Sequence, residues 1–329
     1  MRMAMNSVCD ADRGPMRETV WRIGLMVMVL GMAAPASGQE AVAMLQAQRW
    51  DACLVGAPAA SMEAVCNDAL ERPGLSPAET AVLLALRGNA KALRGAWAEA
   101  VEDLTRALSL NPEERLPRLV RGIGLVNRGE QEVGIADLSV YLAWEPGHSG
   151  ALNARAVAYV RSGRPAAAVV DFTEALKAAP GHPALLHNRA NALRDAGQVE
   201  QAIREYDRLI LLRGQSAPLL SDRCLARLVR GDIRVAQADC EAAVALAPAD
   251  PGVIENRGLV ALKWNQPDKA LTDFNQALSI RQDMPWSLFG RGIVRSRRGD
   301  PQRAAADIRA AQALDPKVGE QFARFGIRP

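Results

Sequence analysis

Three groups of side chains in this sequence could do chemistry. The first is histidine: only His148, His182 and His187 occur, so acid–base work or imidazole ligation would have to use one of them. His148 and His182 fall in turns, where they are expected to be solvated loop residues. The second is cysteine: Cys9, Cys53, Cys66, Cys224 and Cys240 include no Cys-x-x-Cys pair, which argues against a thioredoxin-like motif or a zinc knuckle. The third is a regular recurrence of arginine and carboxylate. Its chemistry is either a basic stripe for an acidic ligand or ion pairing inside the fold. No HExxH, GxSxG or phosphate-binding GxxxxGK[ST] motif is present. Gly122-Ile123-Gly124 is a lone GxG whose first glycine is explained by packing. The reading is therefore non-catalytic, with no cofactor and no metal expected; an enzyme would need a site of unrecognised type.

Composition narrows the class. The chain has 329 residues, 49% hydrophobic, with 40 basic and 37 acidic side chains and a net charge of +3. That apolar content excludes a long disordered protein, and the near balance of charge gives no reason to expect nucleic-acid binding. Aromatic residues make up only 4% while alanine is frequent, which favours closely packed helices over β-sandwiches or barrels. Only Lys91, Lys177, Lys263, Lys269 and Lys317 among the 40 basic residues are lysine, leaving 35 arginines.

The amino terminus has the layout of a leader. Ile23 to Ala34 is an uncharged apolar run after Arg17 and Arg22, followed by Ala36-Ser37-Gly38 and Gln39. This is the order of a secretory signal peptide, expected over residues 1–38 with cleavage before Gln39. The run is short of the ~20 residues a bilayer span needs, so no stable span is expected after cleavage. Asp10 and Asp12 suit a leader poorly, which makes Met16 an alternative start to Met1. Outside the leader, Cys53, Cys66, Cys224 and Cys240 form an even set with three possible pairings, consistent with export to a periplasmic or secreted location. The pairing expected is Cys53–Cys66 and Cys224–Cys240. The first pair would join two short helices across a tight turn. The second occupies two positions that elsewhere hold one small and one large residue.

The middle of the chain repeats every 34 residues, with Pro112, Pro146, Pro180, Gly214, Pro248, Gln282 and Pro316 at equivalent places. With these at position 32, position 15 is Gly95, Gly129, Gly163, Gly197, Gly231, Asn265 and Gly299, and position 20 is Ala in six units and Gly134 in the other. Position 8 is Gly88, Gly122, Ala156, Ala190, Cys224, Gly258 and Gly292. Position 24 is Leu104, Leu138, Phe172, Tyr206, Cys240, Phe274 and Ile308. Each unit reads as a first helix stopped at position 15, a tight turn, and a second helix ended by Pro at position 32. Small residues at 8, 20 and 27 let the two helices approach, and the large residue at 24 fills the space that remains.

The seven units, residues 81–318, resemble the tetratricopeptide repeat family in period, glycine turn, small positions and closing proline. They depart from it at position 4, where Leu84, Leu152, Leu186, Leu220 and Leu288 replace the usual Trp, and at position 11, where only Tyr159 survives. The resemblance implies an all-α, right-handed solenoid of helix–turn–helix repeats that binds proteins or peptides and has no defined activity. The chain resembles secreted bacterial members with a Cys-bearing amino-terminal hairpin. Residues 39–75 are expected as that hairpin cap, turning at Gly56-Ala57-Pro58-Ala59-Ala60. Residues 76–318 are expected as seven repeats opening on a Ser76–Glu79 capping box, and residues 319–329 as a carboxy-terminal cap.

Position 7 is Arg in every unit (Arg87, Arg121, Arg155, Arg189, Arg223, Arg257, Arg291) and position 23 is acidic in every unit (Asp103, Asp137, Asp171, Glu205, Asp239, Asp273, Asp307). Because the partner charge repeats in step and cancels the stripe, an internal ladder is the favoured reading. Family resemblance places positions 2, 5, 6, 9, 12 and 13 on the concave surface. Apolar Leu119, Val126, Val157, Val160, Leu225 and Leu259 are expected there, with a central polar patch of Asn153, His187, Asn188, Asn191, Arg194, Asp222, Glu255 and Asn256. The function expected is an exported scaffold or adaptor in the cell envelope with a protein or peptide partner. The runner-up is a chaperone or assembly factor that holds extended clients.

Overall fold

The computed structural model describes residues 59–328, and the leader, the first helix expected for the amino-terminal hairpin, and Cys53 lie outside these. Among the described residues every regular element is an α-helix, sixteen in all. The chain divides into two compact units, Met1–Pro180 and Gly181–Pro329. The first holds α1 (Ala59–Leu70), α2 (Pro77–Leu93), α3 (Trp97–Leu110), α4 (Arg115–Arg128), α5 (Gln131–Trp144), α6 (Ser149–Arg161) and α7 (Pro165–Ala178). The second holds α8 (Pro183–Asp195), α9 (Val199–Arg213), α10 (Ala217–Arg230), α11 (Ile233–Leu246), α12 (Pro251–Lys263), α13 (Pro267–Ile280), α14 (Pro285–Arg297), α15 (Pro301–Leu314) and α16 (Val318–Arg324). Within each unit, every helix packs on the next, and successive first helices also touch: α2 with α4 with α6, and α8 with α10 with α12 with α14.

Local sequence explains the boundaries. The six position-15 glycines take φ of 79° to 97°, and Asn265, the sole non-glycine there, takes φ 57°. A left-handed residue at this point lets the first helix end and the chain reverse within a few residues. Ser76 caps α2, its hydroxyl accepting the Glu79 N–H at 3.2 Å while the Glu79 carboxylate accepts the Ser76 N–H at 2.8 Å. Ala59 and Ala60, expected in a turn, are instead the first residues of α1. Alanine carries no turn chemistry, so nothing local holds these two out of the helix. His148 and His182 are also not free loop residues. Each is the N-cap of the following helix, Nδ1 accepting the Ala151 N–H at 3.0 Å and the Leu185 N–H at 3.4 Å. His148 also packs edge-on against Tyr141, centroids 5.2 Å apart, and burial lowers its pKa.

The core is made where position 8 faces position 24. Leu138, Phe172, Tyr206 and Phe274 are fully buried, and Leu104 nearly so. Phe274 is held between two glycines: a Cβ on Gly258 would lie 3.0 Å from Phe274 Cε1, and one on Gly290 would lie 2.4 Å from Phe274 Cζ. Gly290→Ala would gain up to ~1 kcal/mol of helix propensity but force the buried ring aside, at about 1–3 kcal/mol for overpacking. The expected result is a net loss of stability in urea unfolding; a gain would show that the ring has room to move. At the carboxy terminus, Phe322 packs on Phe289 (centroids 4.9 Å) and, with Phe325, on Trp286. These contacts seal the apolar end of the last repeat.

Candidate functional site

The arginine–carboxylate recurrence is internal in all seven repeats. Position 7 projects from the first helix and position 23 from the second, and the short turn between them puts the two side chains face to face. Arg155 is typical, with Nε donating to Asp171 Oδ2 at 2.7 Å and Nη2 to Oδ1 at 2.8 Å. Arg87–Asp103, Arg121–Asp137, Arg223–Asp239, Arg257–Asp273 and Arg291–Asp307 repeat the two-pronged pairing with bonds of 2.6–3.0 Å, and Arg189–Glu205 pairs in the same way. The six aspartates are 4–7% exposed. In several repeats the arginine's Nη1 reaches the preceding second helix as well: Arg155 donates to Ser139 at 3.0 Å and Arg223 to Asp207 at 2.7 Å. Each such arginine therefore ties three helices together, and the side chains that formed the candidate basic stripe are occupied within the fold.

The apolar residues expected on a concave surface are mostly not available either. Leu119, Val126, Val160, Leu225 and Leu259 are 0–7% exposed, because successive first helices pack directly on one another and cover them; only Val157 remains half-buried. What this face leaves partly open is polar. In the second unit, α8 and α10 bring together His187, Asn191, Arg194 and Asp222. His187 Nε2 lies 2.7 Å from Asp222 Oδ2, and Arg194 Nη1 donates to Asp222 Oδ1 at 3.4 Å. Arg194 Nε donates to Asp195 at 3.1 Å, and the buried Tyr206 hydroxyl donates to Asn191 Oδ1 at 2.6 Å. The His187, Arg194 and Asp222 side chains are 14–20% exposed.

Electrostatics follows from this packing. Burial pushes the Asp222 carboxyl up, but the His187 hydrogen bond and the Arg194 charge outweigh it and hold Asp222 below the usual carboxylate range. The same balance, with Arg87 and Lys91 as partners, holds Asp103 low. A depressed carboxylate contributes stability above its unfolded pKa of ~3.9 that is lost as pH falls through its lower folded value. Helical signal is therefore expected to persist from neutral pH down past the unfolded carboxylate value and to be lost only in stronger acid. Melting well above that value would contradict the pairing that holds Asp103 and Asp222 low.

The other residues of the patch have separate roles. Asn256 Nδ2 donates to Ser221 Oγ at 2.8 Å. Glu255 accepts from Ser287 Oγ at 2.7 Å and from the Ser287 N–H. It thereby caps α14 from a neighbouring helix, where Met284 has no capping side chain of its own. Burial raises the Glu255 pKa. Asn188 is half-buried on α8, and Asn153 is half-buried on α6 in the other unit. Sequence reasoning missed Asp195, Tyr206, Ser221 and Ser287. The available signal was spacing: His187/Asp222 and Ser221/Asn256 are each 35 residues apart, position 5 of one repeat meeting position 6 of the next.

Cys224 and Cys240 are joined by a disulfide between α10 and α11, with Cα atoms 5.6 Å apart and both side chains fully buried. Cys66 is buried beside Met62 and Ala90. Among the described residues no group of three or more His, Cys, Asp or Glu could hold a metal ion, and no helix is long and apolar enough to cross a membrane.

Two family models, each described as "Tetratricopeptide repeat", match residues 159–221 and 255–319. No curated protein matches the chain. Among solved structures, it is similar to a tetratricopeptide repeat protein from Parabacteroides merdae, with TM-score 0.55 and 20% identity over 82% of this chain and 99% of that one. It is also similar to a chain of the APC/C hetero-tetramer Cut9–Hcn1, with TM-score 0.52 and 16% identity over 83% of this chain and 54% of that one. A third likeness is to PilW, a type IV pilus biogenesis factor, with TM-score 0.51 and 16% identity over 60% of this chain and 92% of that one. At these identities the likeness is one of fold.

Proposed function

Because this chain is a tetratricopeptide repeat protein, an all-α helical repeat solenoid, we propose that it is an exported, non-catalytic adaptor that holds a protein or peptide partner on the first-helix face of its repeats. The observation that carries the reading is the His187–Asp222–Arg194 cluster with Asn191. These side chains orient one another, keep part of their surface in water, and offer both donors and an acceptor to an extended backbone. Pre-oriented groups bind at lower entropic cost than mobile ones. Because the apolar side chains of the same face are covered, recognition there is polar.

Export is supported by the leader layout of residues 1–38 and by the buried Cys224–Cys240 bridge, which suits an oxidising compartment. The Cys53–Cys66 pairing belongs to the same proposal: a bridged, exported protein begins at Gln39 by mass and takes up no alkylating reagent before reduction.

A photo-crosslinker at Asn188, compared with one at Val170 on the exposed side of α7, tests the adaptor function in envelope extract. The expected result is one folded partner captured from the Asn188 site, with Asp222→Asn weakening capture. Capture of many unrelated unfolded chains would replace the adaptor with a holdase, and equal capture at both sites would overturn the assignment of the face.

A further inference from the structure

On the ladder side of the second unit, one repeat carries an arrangement of ion pairs that the next repeat leaves incomplete. In the repeat formed by α10 and α11, Asp239 is paired twice. Arg223 grips it from position 7, and Arg227, one turn further along α10, donates Nη1 to Asp239 Oδ2 at 2.6 Å. Asp207, at position 25 on α9, completes the square, 2.7 Å from Arg223 Nη1 and 3.7 Å from Arg227 Nη2. The last repeat also pairs its aspartate twice, with Arg295 Nη1 on Asp307 Oδ2 at 2.7 Å, and so does the first, with Lys91 Nζ on Asp103 Oδ2 at 2.9 Å, though both have an asparagine where the square has Asp207. Elsewhere position 11 is filled by Leu125, Tyr159 or Leu193. In the repeat formed by α12 and α13 it is Ala261.

That repeat keeps three corners of the square: Arg257, Asp273 and Glu241, the last being the counterpart of Asp207. Where the second cation, the fourth corner, would lie there is an open cleft of about 350 Å³, lined by Gln237, Glu241, Arg257, Ala261, Asp268 and Asp273, among others. Two further observations point to a missing donor. The Arg257 side chain is 29% exposed, against 14–21% for the other six ladder arginines. Gln237 Oε1 is buried without a hydrogen-bond partner, while its Nε2 donates to Glu241. We propose that the cleft between α11, α12 and α13 is a guanidinium site that takes an arginine side chain of a partner protein, in the place Arg227 and Arg295 occupy in the flanking repeats. A planar fork of donors suits the two carboxylates and the amide oxygen better than a point charge does. Lys269 also lines the cleft, but among the described residues it forms no ion pair with a carboxylate, so it does not fill the fourth corner. The site stands apart from the first-helix face and does not depend on the adaptor reading.

The full oxidised chain is titrated by NMR with the peptide acetyl-Gly-Arg-Gly-amide, its citrulline analogue and free L-arginine. Saturable shifts at Glu241 and Thr272 are expected with the arginine peptide, with at least a tenfold weaker effect from citrulline, which has the same shape without the charge. Ala261→Arg, which supplies the fourth corner from within, is expected to abolish the shifts and raise the thermal midpoint. Should that variant fail to fold, Glu241→Gln on the exposed rim is expected to weaken peptide binding several-fold by itself. Equal binding of the citrulline peptide, or binding unaffected by both substitutions, would overturn the site. Tighter binding of free L-arginine than of the peptide would overturn the assignment to a partner protein.

Discussion

Asp171→Ala is expected to cost about 3 kcal/mol, toward the low end of the range for breaking a buried ion pair. The carboxylate is 4% exposed and accepts both prongs of Arg155, so its removal strands a guanidinium that is 19% exposed and cannot swing fully into water. The residual exposure of Arg155 is what keeps the figure near the lower end. Arg155 would retain Ser139 Oγ and the face of Tyr159, 5.9 Å from its ring centre, neither of which carries a compensating charge. Asp171→Asn separates charge from hydrogen bonding, since the amide keeps one acceptor oxygen for the arginine, and an intermediate loss is expected. Chemical denaturation followed by circular dichroism measures both. A loss under ~1 kcal/mol for Asp171→Ala would place the pair in the solvent-exposed class and remove the ladder as a source of stability. The cost should also be shared: α6 is tied through Arg155 to both α5 and α7, so the mutation loosens three helices rather than two.

Breaking the Cys224–Cys240 bridge is the second large expected effect. The bridged residues are 16 apart in sequence, and closing a loop of that size is worth about 3 kcal/mol in the chain-entropy model. Reduction should cost that amount, and Cys224→Ala with Cys240→Ala should cost more, through the space it leaves at position 24. The repeat pattern supplies a rescue. Ala156 and Phe172 fill the same two positions in α6 and α7 with no sulfur at all, both fully buried. Cys224→Ala combined with Cys240→Phe is therefore expected to recover most of the stability and to make it indifferent to reductant. If reductant leaves the midpoint of the wild-type protein unchanged, the bridge contributes nothing, whatever its geometry.

Local chemistry written in the residues fixed most of the architecture. Glycine or asparagine at position 15, proline at position 32 and small residues at position 8 each act within a turn or across one helix pair, so their consequences can be read without knowing the rest of the fold. The ladder was legible for the same reason: positions 7 and 23 lie on two helices joined by a short turn, and a charge that recurs in step with its opposite has its partner at hand. Cys224 and Cys240, replacing a small and a large residue together, carried the same kind of signal.

What sequence could not settle was decided between repeats. Whether Leu119 or Leu259 lines an open groove or is covered depends on how closely successive first helices pack, a distance set by every side chain along the contact. His148 and His182 became caps because the backbone entering α6 and α8 points free N–H groups at their rings, which no residue type announces. Glu255 caps a helix in the next repeat, and the vacancy beside Ala261 is visible only against the filled corners at Arg227 and Arg295. The two histidine caps act within three residues of their own backbone; in the other cases the deciding contact joins residues from different repeats. The sequence names the residue at each end of such a contact, and only tertiary packing sets the distance between them.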